Sequence, residues 1–207
     1  MDILYKCDDY IVVVKPAGVA SEQGAKENMP DMIRRETDAR EVFTVHRLDT
    51  VTSGVMVYAL NKNTAAYFSS EISNNRLHKE YLAVVHGIVC PKSATLEDLL
   101  FKDSRKNKSF VVKRERKGVK RASLEYTVLE TKGELTLVKI RLHTGRTHQI
   151  RVQFASRRHP VYGDGKYGAS DNIPFIALFS YTLSFNDPVS GKEVTFKAPE
   201  PSWEFFR

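Results

Sequence analysis

The stretch His46-Arg-Leu-Asp-Thr-Val-Thr-Ser-Gly54 places one carboxylate, Asp49, among basic, hydroxyl and glycine neighbours. It directly precedes an apolar run, Val55 to Leu60, that predicts a buried strand. A carboxylate between an arginine and a Thr-Ser-Gly turn is well placed to stay ionised and to point in a fixed direction. Such a group suits nucleophilic or acid–base chemistry. The alternative is a loop aspartate that only hydrogen-bonds its own turn.

The composition is that of an ordinary globular protein. The 207 residues are 42% hydrophobic and 28% charged, which allows one large domain or two small lobes. No apolar run is long enough to predict a membrane span, and the N-terminus lacks the layout of a secretory signal. Cys7 and Cys90 have no CxxC spacing. We therefore expect free thiols in a reducing, cytoplasmic protein.

The positive charge of the chain is concentrated in one stretch. Residues 102 to 121 hold ten lysines and arginines against two acids, whereas the other 187 residues carry 22 basic and 23 acidic side chains. A second stretch, residues 139 to 158, has six basic residues and no acid. Patches of this kind suit phosphate backbones. The alternative for residues 102 to 121 is a basic hairpin loop that is merely solvated.

Hydrophobic periodicity and turn residues predict an α+β protein on a largely antiparallel sheet. Helices are expected from Pro30 to about Arg40, from a cap at Asn63 to about Ser73, and from a cap at Thr147 to about Arg157. Ala66, Phe68 and Ile72 are the core candidates of the second helix. The predicted strands are residues 11–14, 55–60, 81–89, 124–130, 135–142, 175–185 and 193–197.

Three groups of residues are candidates for chemistry. The first is Asp49 with Arg47, and the second is Lys79-Glu80-Tyr81, where strand alternation puts Lys79 and Tyr81 on one face. The third is His143-Thr-Gly-Arg-Thr-His-Gln-Ile-Arg151, which is dense in hydrogen-bond donors. Its polar side chains cannot all be core residues and need phosphate or a buried carboxylate as a partner. An anionic ligand at this helix start is the expectation.

Other site chemistries have little support. The six histidines are scattered and show neither HExxH nor paired Cys/His spacing, so no metal is expected. No GxSxG elbow is present. The segment Gly163-Asp-Gly-Lys-Tyr-Gly168 lacks the GxxxxGK[ST] pattern of a P-loop.

Four motifs, in order, resemble the RluA-type RNA pseudouridine synthases. They are residues 46–54 as quoted above, Lys79-x-Tyr81, Gly145-Arg-Thr-His-Gln-Ile-Arg151 and His159-Pro-Val-Tyr-Gly-Asp-Gly-Lys-Tyr-Gly168. The resemblance covers essentially the whole chain. It implies a mixed, mainly antiparallel central sheet with flanking helices and a catalytic cleft between two lobes. It also implies isomerisation of uridine to pseudouridine in RNA without cofactor or metal.

The resemblance assigns roles to individual residues. Asp49 matches the catalytic aspartate, Tyr81 the tyrosine that packs on the target base, and Arg151 the arginine paired with that aspartate. Arg47 matches the side chain that fills the space left by the flipped-out base, and Arg146 is a further candidate for substrate binding. His46 is expected to hydrogen-bond backbone near Asp49. Whether Asp49 attacks the ribose or base, or first abstracts a ribose proton, stays open.

The chain is expected to be a single catalytic domain over residues 1–207, without a separate N-terminal RNA-binding domain. RNA selection then falls to the catalytic domain itself. Our hypothesis is that residues 102 to 121, called the basic hairpin below, grip the RNA backbone through Lys113, Arg114, Arg116 and Lys117. The expected partner is ribosomal or transfer RNA, and a monomer is the default.

Two other functions stay open at this point. One is a non-catalytic RNA-binding module that keeps the synthase fold, for which replacement of Asp49 would be silent. The other is a metal-dependent RNA hydrolase, whose activity chelation would abolish.

Overall fold

The computed structural model describes residues 1–171 and 173–206, which divide into two compact units. Unit 1 comprises Met1–Lys79 and Phe179–Glu200, and unit 2 comprises Glu80–Leu178 with residues 201–206. The expectation of one catalytic domain over residues 1–207 stays a prediction.

The described residues form three α-helices and eleven strands. The helices are α1 Met29–Glu36, α2 Lys62–Ser73 and α3 Gln149–Ala155. The strands are β1 Asp2–Lys6, β2 Tyr10–Lys15, β3 Phe43–Thr44, β4 Ser53–Ala59, β5 His78–His86, β6 Ser93–Asp103, β7 Lys108–Val112, β8 Val119–Lys132, β9 Leu135–Leu142, β10 Leu178–Asn186 and β11 Glu193–Lys197. Two short 3-10 helices cover Gly165–Tyr167 and Glu204–Phe206.

Unit 1 has a buried mixed sheet. Its strand order is β1–β2–β4–β10, with β3 paired to β4 and β11 to β10. The β4–β10 pair is parallel and the others are antiparallel. Residues 55–59 of β4 are all fully buried, as in a strand covered on both faces. Phe68 of α2 is fully buried and meets the ring of Tyr10 on β2 edge-on, 5.8 Å between centroids.

Unit 2 is an antiparallel sheet with α3 against one face. The order is β5–β9–β8–β6–β7. On β9, burial alternates and points Thr136, Val138 and Ile140 inward, which is the period of a half-buried strand. Phe154 of α3 packs on Tyr126 of β8 with ring centroids 5.5 Å apart. The α+β class and the predominance of antiparallel pairs are therefore confirmed.

Helices α1 and α2 differ from the sequence predictions in three respects. Helix α1 ends at Glu36 instead of about Arg40, because Thr37 adopts an extended backbone and its hydroxyl bonds back to Ile33 O. Asn61, not Asn63, caps α2 by accepting from Thr64 N at 2.9 Å. Of the three core candidates on α2, Phe68 is buried, Ile72 is half-buried and Ala66 is exposed.

The start of α3 was also predicted wrongly. The N-cap position belongs to His148, in a left-handed conformation with φ 54°, and not to Thr147. Instead of a capping hydroxyl, the Gln149 side chain closes this start, accepting from Arg146 N at 3.0 Å and from Thr144 Oγ1 at 2.7 Å. The helix ends at Ala155, before the expected Arg157.

Most predicted strands are confirmed with shifted ends. β9 and β11 have the predicted bounds, whereas β5 begins at His78, β8 at Val119 and β10 at Leu178. The β8–β9 connection contains Gly133 with φ 57°, a left-handed conformation that favours glycine.

Gly54 allows the close approach of β4 and β10. It pairs with Ser180 across the parallel ladder, has φ +122°, and a Cβ added there would lie 2.2 Å from the backbone oxygen of Ser180. We expect Gly54→Ala to lower the free energy of unfolding by about 3 kcal/mol or more, or to prevent folding. Urea unfolding measures this. Gly145→Ala is the control, because a Cβ there meets nothing within 4 Å, and an equal loss in both variants would contradict the expectation.

Candidate active site

The backbone of the loop that carries Asp49 is hydrogen-bonded on both sides of this residue. Asp49 is half-buried between β3 and β4, and Thr52 N donates to Asp49 O at 2.9 Å to close a turn. On the other side, the Ser21 hydroxyl donates to Leu48 O at 2.8 Å and accepts from Leu48 N at 3.0 Å. The backbone of Asp49 therefore has little freedom to move.

A buried ammonium group lies beside this loop. Lys15 is fully buried, and its Nζ donates to Pro16 O at 2.9 Å, Val19 O at 2.7 Å and Thr50 O at 3.2 Å. Burial lowers the pKa of Lys15 to about 8, and the negative charge of Asp49 partly offsets this decrease. Lys15 thus remains mostly charged at neutral pH and ties the segment after β2 to the residue that follows Asp49.

His46 has the structural role expected from the sequence. It is buried, and its Nε2 accepts a hydrogen bond from Val57 N at 3.1 Å. Burial, together with the positive charge of Lys79, holds its pKa well below the usual value. The neutral ring therefore carries its proton on Nδ1, which has no hydrogen-bond partner among the described residues.

Arg47 points away from the interior of unit 1. Its side chain is 62% exposed and its Nη1 lies 3.0 Å from Glu22 Oε2, which is itself 49% exposed. An ion pair this exposed holds a side chain weakly. The role of Arg47 at the site of a flipped-out base stays a prediction.

Tyr81 lies on β5 in unit 2, opposite Ile140 on β9. Only 5% of it is exposed, as for a core residue of a strand. Lys79 is on the same strand, and desolvation lowers its pKa to about 8. Since Asp49 belongs to unit 1 and Tyr81 and Arg151 to unit 2, the expected three-residue site stays a prediction.

In the donor-rich segment at α3, Arg151 is paired with a buried carboxylate. A buried carboxylate is one of the two partners that the sequence predicts for this segment. Arg151 is 4% exposed, and it donates through Nε to Asp164 Oδ2 at 2.6 Å and through Nη2 to Asp164 Oδ1 at 2.8 Å. His148 and Gln149 are buried as well. Arg146 is exposed, and its Nε donates to Arg121 O at 2.9 Å. Its role in substrate binding stays a prediction.

Sequence reasoning missed Lys15 and Ser21 beside the Asp49 loop and Asp164 as the partner of Arg151. It also missed Tyr167, whose ring centre lies 5.2 Å from the Arg151 guanidinium carbon. A lysine that ends a fully apolar strand was the available signal for Lys15. For Asp164 and Tyr167, it was the repeated glycine spacing of residues 163–168, which fixes a turn around them. No local pattern marks Ser21.

The basic hairpin consists of the end of β6, the turn 104–107, all of β7, the loop 113–118 and the start of β8. Arg116 lies over the ring of Phe101, 4.8 Å from its centroid, and Arg121 pairs with Glu115 at 2.9 Å. Lys113, Arg114 and Lys117 are exposed and form no ion pair with any described residue. These three side chains are therefore available to a ligand in solution.

Among the described residues, no three histidine, cysteine, aspartate or glutamate side chains lie close enough together to hold a metal ion. None of their helices has the length and apolar character needed to cross a membrane.

A family model described as RNA pseudouridylate synthase matches residues 9–156. The chain belongs to this family. RluA, the dual-specificity RNA pseudouridine synthase of Escherichia coli strain K12, is 34% identical over 95% of the chain and 92% of its own length. YlyB of Bacillus subtilis strain 168, an uncharacterized RNA pseudouridine synthase, is 33% identical over 97% of the chain and 69% of its own length. The RluA-type resemblance is thereby confirmed.

Solved structures agree with this assignment. Human RNA Pseudouridylate Synthase Domain Containing 1 aligns with a TM-score of 0.84 and 25% identity over all of the chain and 86% of its own. Domain Containing 4 aligns at 0.80 over 99% of the chain and 90% of its own, and at 21% identity it shows the fold alone. The protein is an RNA pseudouridine synthase, an isomerase that acts on uridine in RNA.

The buried ammonium of Lys15 should leave a signature in the pH dependence of stability. The folded pKa of about 8 lies below the ordinary lysine value of 10.5. The folded state therefore binds fewer protons than the unfolded state between these values, and stability rises with pH there. Compared with Lys15→Met, the natural protein should gain about 2 kcal/mol in free energy of unfolding from pH 7 to pH 10.

Urea titrations at several pH values measure this gain. Lys26→Met is the control, because Lys26 is exposed. If the Lys15→Met variant keeps the same pH slope as the natural protein, Lys15 is not the titrating group.

Proposed function

We propose that Asp49 is the carboxylate that drives pseudouridine formation in ribosomal or transfer RNA. Ribosomal RNA is supported by a relative, Ribosomal large subunit pseudouridine synthase C of Buchnera aphidicola, which is 30% identical over 95% of the chain. The sequence leaves transfer RNA equally open. Tyr81 stacks on the target base and Arg151 favours the ionised carboxylate in this proposal.

The chemistry requires a base that has left its stack. Flipping a nucleotide costs a few kcal/mol, and stacking on an aromatic ring returns roughly 1–3 kcal/mol. The bond from N1 of uracil to C1′ of ribose then breaks, the uracil rotates, and a bond from C5 to C1′ forms. The proton lost from C5 is balanced by the proton gained at N1. An ionised Asp49 can attack, take a proton or stabilise positive charge near C1′.

The observation that carries the proposal is the fixed backbone around Asp49. Ser21 holds Leu48 on one side, and Lys15 holds Thr50 on the other. A turn aspartate with no further role would not need a buried lysine next to it, because burying an ammonium is costly. The loop is thus built to present one carboxylate in one direction, which favours chemistry over turn capping.

The remaining expectations belong to the same proposal. Arg47 occupies the space that the flipped base leaves, and Arg146 contacts RNA near α3. No cofactor takes part and the protein acts as a monomer. The free thiols Cys7 and Cys90 support a location in the reducing cytoplasm.

Replacing the carboxylate by its amide tests the role of Asp49. Asp49→Asn should still fold and bind RNA, and should form no pseudouridine above background, since an amide cannot act as nucleophile or base. Pseudouridine in total RNA is mapped, site by site, in cells that carry either form of the gene. Asp8→Asn is the matched control, because Asp8 is exposed. Normal product from Asp49→Asn would sink the proposal.

Charge reversal tests the basic hairpin. Changing Lys113, Arg114, Arg116 and Lys117 to Glu should weaken RNA binding. The slope of log affinity against log salt should fall by roughly 3 to 4, if each cation releases about one counterion. Affinity is measured over a salt titration, with the RNA that carries the mapped site.

A second fourfold variant separates local contacts from net charge. Lys26, Arg40, Lys62 and Lys192 are exposed residues of unit 1, and their change to Glu alters the net charge equally. Its salt slope should stay closer to that of the natural protein. Equal slopes for the two variants would mean that the hairpin is not a local RNA contact.

A further inference from the structure

The guanidinium of Arg151 is held by a carboxylate that is itself immobile. Both Nε and Nη2 donate to Asp164, so the plane of the guanidinium is fixed. The backbone of Asp164 is bonded at both ends, donating to Val161 O at 2.9 Å and accepting from Tyr167 N at 3.0 Å. The Arg151–Asp164 pair is therefore a buried ion pair with a fixed geometry.

Gly163 allows the tight turn that precedes Asp164. Its φ is +82°, and a Cβ placed there would lie 2.1 Å from the backbone oxygen of Phe175. Only glycine allows the chain to turn here and place Asp164 under α3.

Tyr167 supports Arg151 from a second direction. The Arg151 guanidinium carbon lies 5.2 Å from the centre of the Tyr167 ring, within the range of a cation–π contact. The Tyr167 hydroxyl accepts from Ser109 N at 2.9 Å and lies 2.9 Å from His148 Nδ1. One buried ring thus touches the arginine while its hydroxyl is bonded to β7 and to the residue before α3.

The base of the basic hairpin is fastened to the same segment. The Lys108 ammonium lies 4.8 Å from the Tyr167 ring centre and donates to Lys166 O. Lys166 Nζ donates back to Asn107 O at 3.1 Å. The Ser109 hydroxyl also donates to Thr147 O at 2.6 Å. A displacement of β7 is therefore transmitted to Tyr167 and to the start of α3.

We propose that Asp164 and Tyr167 are positioning residues for Arg151, and that Tyr167 couples this position to the basic hairpin. RNA held by the hairpin steadies β7, β7 steadies the Tyr167 hydroxyl, and the Tyr167 ring keeps the guanidinium of Arg151 in its working orientation. The inference rests on the proposed function, since it gives Arg151 a part in the reaction.

The test is Tyr167→Phe, which keeps the ring over Arg151 and removes only the hydroxyl. In single-turnover assays at saturating enzyme, pseudouridine formation should slow by about tenfold to a hundredfold, as for a misplaced reacting group. The dissociation constant for RNA should stay within about twofold, since no hairpin cation is altered. Asp164→Asn should slow the reaction more than Tyr167→Phe does, because it removes the charged partner of Arg151.

Tyr126→Phe is the matched control. Tyr126 is a buried tyrosine of unit 2 whose hydroxyl donates to Pro91 O at 2.9 Å, so Tyr126→Phe removes one hydrogen bond that involves neither β7 nor α3. It should lower the free energy of unfolding, although by less than Tyr167→Phe, and leave the rate unchanged. Equal slowing in both variants would show a general loss of packing and overturn the proposal.

The coupling is measured by a double-mutant cycle. The fourfold hairpin variant should slow the saturated rate in the natural background and add little in the Tyr167→Phe background, while its effect on RNA affinity persists in both. Independent effects on the rate would refute the coupling.

A readout without turnover separates this inference from the proposed function. The nitrogen-15 resonance of Arg151 Nε–H, assigned with Arg151→Lys, should be protected from exchange in the natural protein and lose protection in Tyr167→Phe. Unchanged protection and rate would end the positioning role, even if Asp49→Asn is inactive. Normal product from both Asp49→Asn and Arg151→Lys would instead remove the proposed function.

Discussion

The three hydrogen bonds of the buried Lys15 ammonium are the interaction on which the architecture around Asp49 depends. An ammonium removed from water costs several kcal/mol unless acceptors surround it. Here the carbonyls of Pro16, Val19 and Thr50 supply those acceptors, and all three lie in irregular backbone. The ammonium group thereby connects two loops that are not held by strand pairing. The loop that carries Asp49 is held in place by this buried charge.

Unit 2 follows the same physical rule with a different pair of groups. Arg151 and Asp164 are both almost fully buried, and each satisfies the other with two charge-assisted hydrogen bonds. Removing one partner of such a pair typically lowers the free energy of unfolding by about 3–5 kcal/mol, because the other charge is left buried without a counter-charge. The Asp164 carboxylate consequently sets the direction of the Arg151 guanidinium. Tyr167 extends that arrangement to β7, which is one strand of the basic hairpin.

The errors made from sequence have local physical causes. Asn61 and Asn63 are both good capping residues, and the choice of Asn61 depends on which of them reaches Thr64 N once α2 packs against β4. At α3, the Gln149 side chain replaces a capping hydroxyl, so Thr147 was a plausible but wrong choice. Ala66 fits the apolar period of α2 yet faces solvent, because Thr64 and Glu71 take buried positions on that helix. Propensity describes single residues, whereas packing decides which face of a helix is covered.

The sequence by itself determined the α+β class, most strands, the concentration of basic residues in 102–121 and the family through four ordered motifs. These follow from the order of residues along the chain, since periodicity, turn chemistry and motif spacing are local properties. Only the tertiary structure decided that Lys15 is buried, that Ser21 holds Leu48, and that Arg151 pairs with Asp164. Each of these joins groups from separate segments of the chain. The partner of a buried charge is chosen by what the fold brings within about 3 Å, the length of a hydrogen bond, and no local pattern encodes that distance.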